Sequence, residues 1–254
     1  MSNRVALLTI VSREVLRFMR IWLQTLLPPV VVTALYFIIF GNLIGPRIGR
    51  MDGFDYSQFI MPGLVMMAVI TNSYSNVVSS FYSAKFHRSI EEMLISPMPG
   101  YLILLGYTLG GVLRGLVVGV LVMAVALLFT ELRVEHVWIT VIIVVLTATL
   151  FSIGGFINAL FAKSFDDISI VPTFVLAPLT YLGGVFYSID MLSPFWRQIS
   201  LANPILYMVN GFRYGILGVS DIGIGIAIGL IVVMVLLAFG VALALLERGV
   251  GIRS

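Results

Sequence analysis

Residues 84–100 read AKFHRSIEEMLISPMPG. His87, Arg88, Glu91 and Glu92 crowd together here, in a chain of which only 11% is charged. On either side lie long apolar stretches, residues 59–84 and 101–129. A polar island between two stretches of membrane-spanning length marks a place where the chain leaves a bilayer and turns back into it. The second half of the island reads as a short helix. Ser89 is the expected N-cap, Glu91 and Glu92 sit in a first turn favoured by the helix dipole, and Glu92 has the capping-box spacing from Ser89. Pro97 and Pro99 are expected to stop it. Ile90, Met93 and Leu94 give it an apolar face too small for a core of its own, which suits docking to a partner. A helix lying on the membrane surface is the other reading.

The whole chain fits this setting. It has 254 residues, 60% hydrophobic, with a mean hydropathy of +1.09. A soluble domain carries about 25% charged residues, and a surface built from this composition would be largely apolar in water. Expected spans are residues 24–44, 59–84, 101–129, 137–162, 168–187 and 222–246, preceded by an amphipathic segment over residues 1–23. The fold class is therefore all-α and integral to the membrane, one domain over residues 24–251 with short connections. In the first segment Arg13, Arg17 and Arg20 share one helical face, while Val11, Val15, Phe18 and Trp22 fall on another, the pattern of a helix lying on membrane lipid at the interface. The same arginines break up any short apolar core, so no cleaved leader is expected.

With the N-terminus placed inside, inner segments carry Arg4, Arg13, Arg17, Arg20, Lys85, Arg88, Lys163, Arg248 and Arg253. Outer segments carry Arg47, Arg50, Arg133, Arg197 and Arg213, and Arg114 falls within the third span. The excess on the inner side favours both termini in the cytoplasm. The arginines are scattered and not set among aromatics, so the net charge of +3 does not point to nucleic acid.

Several chemistries are excluded by what the chain lacks. There is no cysteine, hence no disulfide or thiolate metal site. His87 and His136 lie far apart and on opposite sides, with no H-E-x-x-H helix, and no G-x-S-x-G turn occurs. The two lysines stand in FYSAKFHR and LFAKSFDD, and neither follows a glycine, so the chain has no Walker A loop to hold ATP. No catalytic, cofactor or metal residues are expected. Arg114, in GGVLRGLVVG, is the one strongly ionisable group within a span and a candidate lining of a polar cavity or path. A lone arginine without an evident acid is a poor proton or sodium relay. Gly111, Gly115 and Gly119 recur every four residues, a spacing for close helix packing on a neighbouring span or along a dimer seam. Pro172 and Pro178 should bend the fifth span. Residues 188–220 mix Asp190, Arg197, Asn203 and Arg213 with Phe195, Trp196 and Phe212, as expected of broken helices that dip into the outer leaflet.

The run SIEEMLISPMP (89–99) resembles the loop-helix motif of type-2 ABC transporter permeases, the ABC-2 family. ILLGYTLGGVLRGLVVG (103–119) looks like the family's third span, and GGVFYSIDMLSPFWRQISLANPILYMVNGFRYGILG (183–218) is similar to its last outer segment. The resemblance extends over residues 17–254 and is nearest to the short bacterial permeases of drug, nodulation-factor and polysaccharide export. It implies six spans, an interfacial first helix, re-entrant helices before the last span, and a location in the bacterial inner membrane. It further implies two permease copies, a homodimer here, each docking one ATP-binding cassette subunit. Ser89, Ile90, Glu91, Glu92, Met93 and Leu94 would be the coupling helix that touches the ATPase. Arg114, Phe212 and Arg213 are candidates for the path. An ATP-independent secondary carrier or channel is the alternative.

Overall fold

The computed structural model describes residues 3–95, 98–131 and 134–251. Pro97, one of the two expected helix stops, and Arg133 and Arg253 of the charge count lie outside them. The first helix, α1 (Asn3–Arg20), ends at a turn at Ile21 and leads into α2 (Trp22–Ile48). A small hairpin follows, β1 (Arg50–Met51) paired antiparallel with β2 (Phe54–Asp55). Asp52 and Gly53 form its turn, both with positive φ, the backbone that a two-residue hairpin of right-handed twist requires. Next come α3 (Tyr56–Phe86), α4 (Ser89–Ile95), α5 (Gly100–Ala126), α6 (Val137–Phe161) and α7 (Asp167–Tyr181). Two shorter helices, α8 (Pro194–Leu201) and α9 (Pro204–Leu217), precede α10 (Ile224–Glu247).

Four helices are long and apolar enough to cross a bilayer among the described residues: α2, α5, α6 and α10. The chain is thus an all-α protein of the multi-pass membrane class. The helix expected as the second span, α3, is longer still at 31 residues, about 46 Å of helix. Its Asp55–Gln58 capping box fixes where it starts. Its lower hydropathy has a packing cause. Asn72, Ser73, Asn76 and Ser80 are buried along it, where neighbouring helices and not hydrocarbon surround them. α3 is the centre of the bundle and packs most extensively on α5 and α6.

Two spans depart from their expected form. The expected fifth span, residues 168–187, is helical only as α7 and stops at Tyr181, because Gly183 and a left-handed Gly184 turn the chain there. Within it, Pro172–Leu176 is π-helical: a proline without an N–H cannot hold the α-type ladder, which widens at that turn. In α2 the proline pair Pro28 and Pro29 falls in the first turn of the Leu27–Tyr36 piece, where the missing donors cost least. The π-helical Phe37–Ile44 beyond it has no proline and was not foreseeable from spacing.

Close helix approach rests on glycine. On α5, Gly111 faces the Ser73 carbonyl and Val77 of α3 together with Ser152 of α6, Gly115 faces Ser73, and Gly119 faces Val69. Gly106 and Gly110 receive Ile10 and Glu14 of α1, and Gly155 of α6 lies against the Tyr74 carbonyl of α3. With lipid tails as apolar as leucine, such backbone contact supplies much of the packing between spans. A Gly111→Val substitution should therefore destabilise the bundle by about 1–3 kcal/mol through overpacking. Gly240→Val, with no atom within 4 Å, should be silent. Thermal unfolding of the two purified variants in detergent checks this; equal melting temperatures contradict it.

Candidate functional site

Three polar assemblies interrupt the apolar bundle. The first holds α1 to it. The buried stripe of α1 is Ile10, Glu14 and Phe18, spaced by four residues, so the face that meets the bundle carries a carboxylate with 1% exposure. Ser80 Oγ donates to Glu14 Oε1 at 2.6 Å, and Arg17 Nη2 pairs with Oε2 at 3.2 Å. Arg17 also donates to the Asn76 carbonyl at 3.0 Å and to Asn76 Oδ1 at 2.8 Å. Arg13 lies 3.8 Å from the carboxylate and donates to the Tyr107 hydroxyl of α5 at 2.6 Å. Arg13 and Arg17 thus brace a buried acid against α3 and α5, while the exposed part of α1 mixes Val5, Leu8, Leu16 and Met19 with Thr9, Ser12 and Arg20. The expected split of the helix is rotated: of the expected apolar set, Phe18 is buried and Trp22 exposed.

The second assembly is the junction of α3 and α4. Arg88, at φ +59°, turns the chain, and α4 begins at Ser89 itself. The Ser89 hydroxyl donates back to the Ala84 carbonyl at 3.1 Å, so it tethers α4 to the end of α3 instead of serving as the expected N-cap. Ile90 is buried and Met93 packs on the core, which anchors α4 to its own chain and removes Ile90 from any outward contact. Glu91 is exposed, and so is Ile95, at 84%, an apolar knob that the sequence reading passed over. The side chains of Glu92 and Leu94 lie outside the described residues. Lys85 donates to the carbonyls of Leu160 and Ala162 at 2.8 and 2.7 Å, closing the end of α6 against α3. On this side Asp167 receives the amides of Lys163 and Ser164, and those bonds hold its carboxyl below the ordinary value. Arg13, Arg17 and Arg20 meet Ser89 and His87 across a cleft of about 520 Å³ between α1 and this junction.

The third assembly is at the other end of the bundle. Arg213 of α9, 1% exposed, stacks 4.0 Å over the Phe59 ring and donates to the carbonyl of Gly184 and to Asn210 Oδ1. Asn210 Oδ1 also accepts the Asp221 amide at 3.1 Å, and the Asp221 carboxylate takes Ser188 Oγ at 2.9 Å and the Ile189 amide at 3.3 Å. Partial burial, helped by Asp221 and Asp190 and opposed by Arg213, raises the Asp52 carboxyl above its usual value. Asn203 caps α9 through Ile205 N and reaches the Leu179 carbonyl at 2.6 Å. Phe212 is buried beside Arg213. Both are buried, and through Arg213 and Asn210 the assembly knits α9, Phe59 of α3, the turn at Gly184 and Asp221 together from within.

Arg114 is elsewhere, at mid-length of α5. It lies at the side of a groove of about 310 Å³ between α2 and α3, with Thr25, Thr33, Tyr36, Thr71 and Asn72 among the lining residues. Above the groove Tyr36 meets Tyr181 hydroxyl to hydroxyl at 3.2 Å and packs with Phe40 and Phe186. No group of three or more metal-binding side chains occurs among the described residues.

The structure is that of an all-α multi-pass membrane protein, with four helices long and apolar enough to cross a bilayer among the described residues, and the comparisons with known proteins carry the assignment further. Residues 5–217 match the family model described as ABC-2 type transporter. The chain is 57% identical over 251 residues, 98% of each chain, to an Escherichia coli K12 protein named inner membrane transport permease YadH, and equally to that of Shigella flexneri. It is 23% identical over 246 residues, 95% of this chain and 93% of the other, to nodulation protein J of Rhizobium leguminosarum bv. viciae. The chain belongs to the ABC-2 type transporter family.

Breaking the first assembly has a calculable consequence. Glu14→Ala leaves Arg17 without its ion partner in a largely enclosed site; because Arg17 is 32% exposed, the cost is on the order of 2 kcal/mol, less than for a fully buried pair. Adding Arg17→Ala should recover part of that loss. Unfolding of the single and double variants in detergent measures the coupling, and strictly additive losses contradict it.

Proposed function

We propose that this chain is the permease subunit of an ATP-driven type-2 ABC exporter in the bacterial inner membrane. It has no nucleotide site of its own and takes its energy from a separate ATP-binding cassette subunit, two copies of which serve a permease homodimer. The observation that carries the reading is α4: a short helix fixed to the inner end of the central helix α3 by Ser89 and Ile90, with Glu91 and Ile95 turned outward. A helix anchored on one face and free on the other can pass a push from a docked partner into α3. In this reading Glu91 and Ile95, with Glu92 and Leu94, meet the ATPase, while Ser89, Ile90 and Met93 hold the helix in place.

The same reading takes α2, α3, α5, α6, α7 and α10 as six spans with both termini in the cytoplasm, and residues 1–23 and 24–251 as interfacial helix and membrane domain. Helices α8 and α9 enter the outer leaflet and return. Support comes from α9, which is buried to an extent that surface helices are not, with its polar ends satisfied by Asn203 and Gly218. Wide apolar faces of α2 and α7 remain exposed, with Val31, Leu35, Ile38, Phe174 and Tyr181, and these suit lipid and the second permease copy. Arg114, beside the groove between α2 and α3, lies on the export path, and Phe212 and Arg213 support its outer end from behind. Exported compounds are amphipathic, drug-like, lipid-linked or glycan.

The test needs the cognate ATPase, to be sought in the neighbouring reading frame by its Walker A loop. In proteoliposomes holding both subunits, Glu91→Arg, Glu92→Arg and Ile95→Asp should each lower permease-stimulated ATP hydrolysis about tenfold while the chain still inserts. Undiminished hydrolysis and export in all three would remove the coupling assignment. Substrate flux by the permease alone, without ATP, would favour a self-contained carrier.

A further inference from the structure

Arg114 is poorly served for a cation at the middle of a membrane helix. Its guanidinium offers five N–H donors. It makes two long bonds, 3.4 Å to the Thr25 carbonyl and 3.2 Å to Asn72 Oδ1, both neutral acceptors, and its buried Nε has no partner. No ion pair forms at Arg114 among the described residues, and the charged neighbour that acts on it is another cation, Arg17. The Nε of Arg17 and of Arg213 is likewise unpartnered, but their terminal nitrogens are better met: Arg17 by Glu14 and Asn76, Arg213 by a carbonyl, with an aromatic face beneath it. Placing an unpaired arginine at such depth is costly, and intramembrane charges are retained where they meet a ligand or a partner.

The groove beside it has the complementary form. Its volume, about 310 Å³, is at the lower end of what ligand sites use. Polar and apolar side chains both line it: Thr33, Thr71 and Asn72 beside Arg114, together with Val32, Leu64 and Met67. Val32 and Thr71 are exposed, so the groove opens sideways between α2 and α3. A ligand with a negative head would complete the coordination of Arg114 while its tail met Val32, Leu64 and Met67 and left through the opening. We infer that this groove binds an anionic amphiphile, a phosphate- or carboxylate-headed molecule with an alkyl tail, as cargo in transit. The inference rests on the export reading and narrows its substrate class.

The test needs no ATPase. The full chain, purified in dodecyl maltoside, is titrated with radiolabelled dodecyl phosphate and with dodecylphosphocholine, which share a tail but differ in net charge. Dodecyl phosphate should bind about tenfold more tightly, the gain of charge-assisted hydrogen bonds to arginine. Arg114→Gln should abolish the preference and Arg114→Lys should keep most of it. Thr71→Trp, which fills the groove from its open edge, should weaken both probes. If Arg114→Gln does not fold, the Lys and Trp variants decide the matter. Equal binding of the two probes, or a preference that survives Arg114→Gln, overturns the inference. So does a phospholipid held one per chain that the probes cannot exchange, since that is a fixed lipid and not cargo. Any of these results leaves the ATPase-coupling experiment untouched, and failure of that experiment leaves the binding result standing.

Discussion

A buried carboxylate fixes how the N-terminal helix of this protein sits on the bundle. Glu14 has almost no exposed surface, and an ionised acid in such a place persists only if cations and donors meet it there. Arg17, Arg13 and Ser80 do so, and they demand one orientation of α1: rotated so that an acid-bearing stripe faces α3 and α5. Gly106 and Gly110 allow α1 close enough for the bonds to form. The result is an N-terminal helix bolted to two spans. α4 is fixed to the end of the same α3 by Ser89 and Ile90, so α1, α3, α4 and α5 are joined by direct contacts.

Three arginines near the core show three ways of keeping a guanidinium out of water. Arg17 has a carboxylate. Arg213 has an aromatic face, a carbonyl and an amide oxygen, and with them joins α9, α3 and the turn at Gly184. Arg114 has two long contacts to neutral oxygens beside an open groove. The first two are structural fasteners, one at each end of the bundle. The third is at mid-length of α5, on a groove that Tyr36 of the aromatic group with Phe40, Tyr181 and Phe186 also lines.

Much of the architecture was legible in the sequence because composition and hydropathy dominate in lipid. The apolar stretches, the short polar island at residues 84–100 and the missing nucleotide loop follow from residue types alone. The four-residue spacing of Gly111, Gly115 and Gly119 was visible, but which helices they face was not, since spacing marks a surface and not its partner. The face that α1 turns to the bundle, Ile10, Glu14 and Phe18, differs from the one its sequence suggests, because Arg13, Arg17 and Arg20 dominate its polar side. The signal available was Glu14 standing between Ile10 and Phe18 at equal intervals, a charge within an apolar stripe. Ser89 resembled an N-cap, yet a left-handed Arg88 starts α4 one residue early and frees its hydroxyl for Ala84. Arg114 was singled out without partners, and Asn72, on another helix, could be paired with it only in three dimensions. The stop of α7 at Tyr181 depends on the backbone of Gly184, which hydropathy does not see.

The account stands or falls on whether α1 and α3 behave as one body held by Glu14. The chain contains no cysteine, so two can be placed freely at exposed sites, Ser12→Cys on α1 and Phe86→Cys at the end of α3. Spin labels at these positions, measured by pulsed electron double resonance in nanodiscs, should give a single narrow distance distribution. The same pair in the Glu14→Ala background should give a broad or divided one. Equal widths with and without Glu14, or a broad distribution in its presence, would contradict the account.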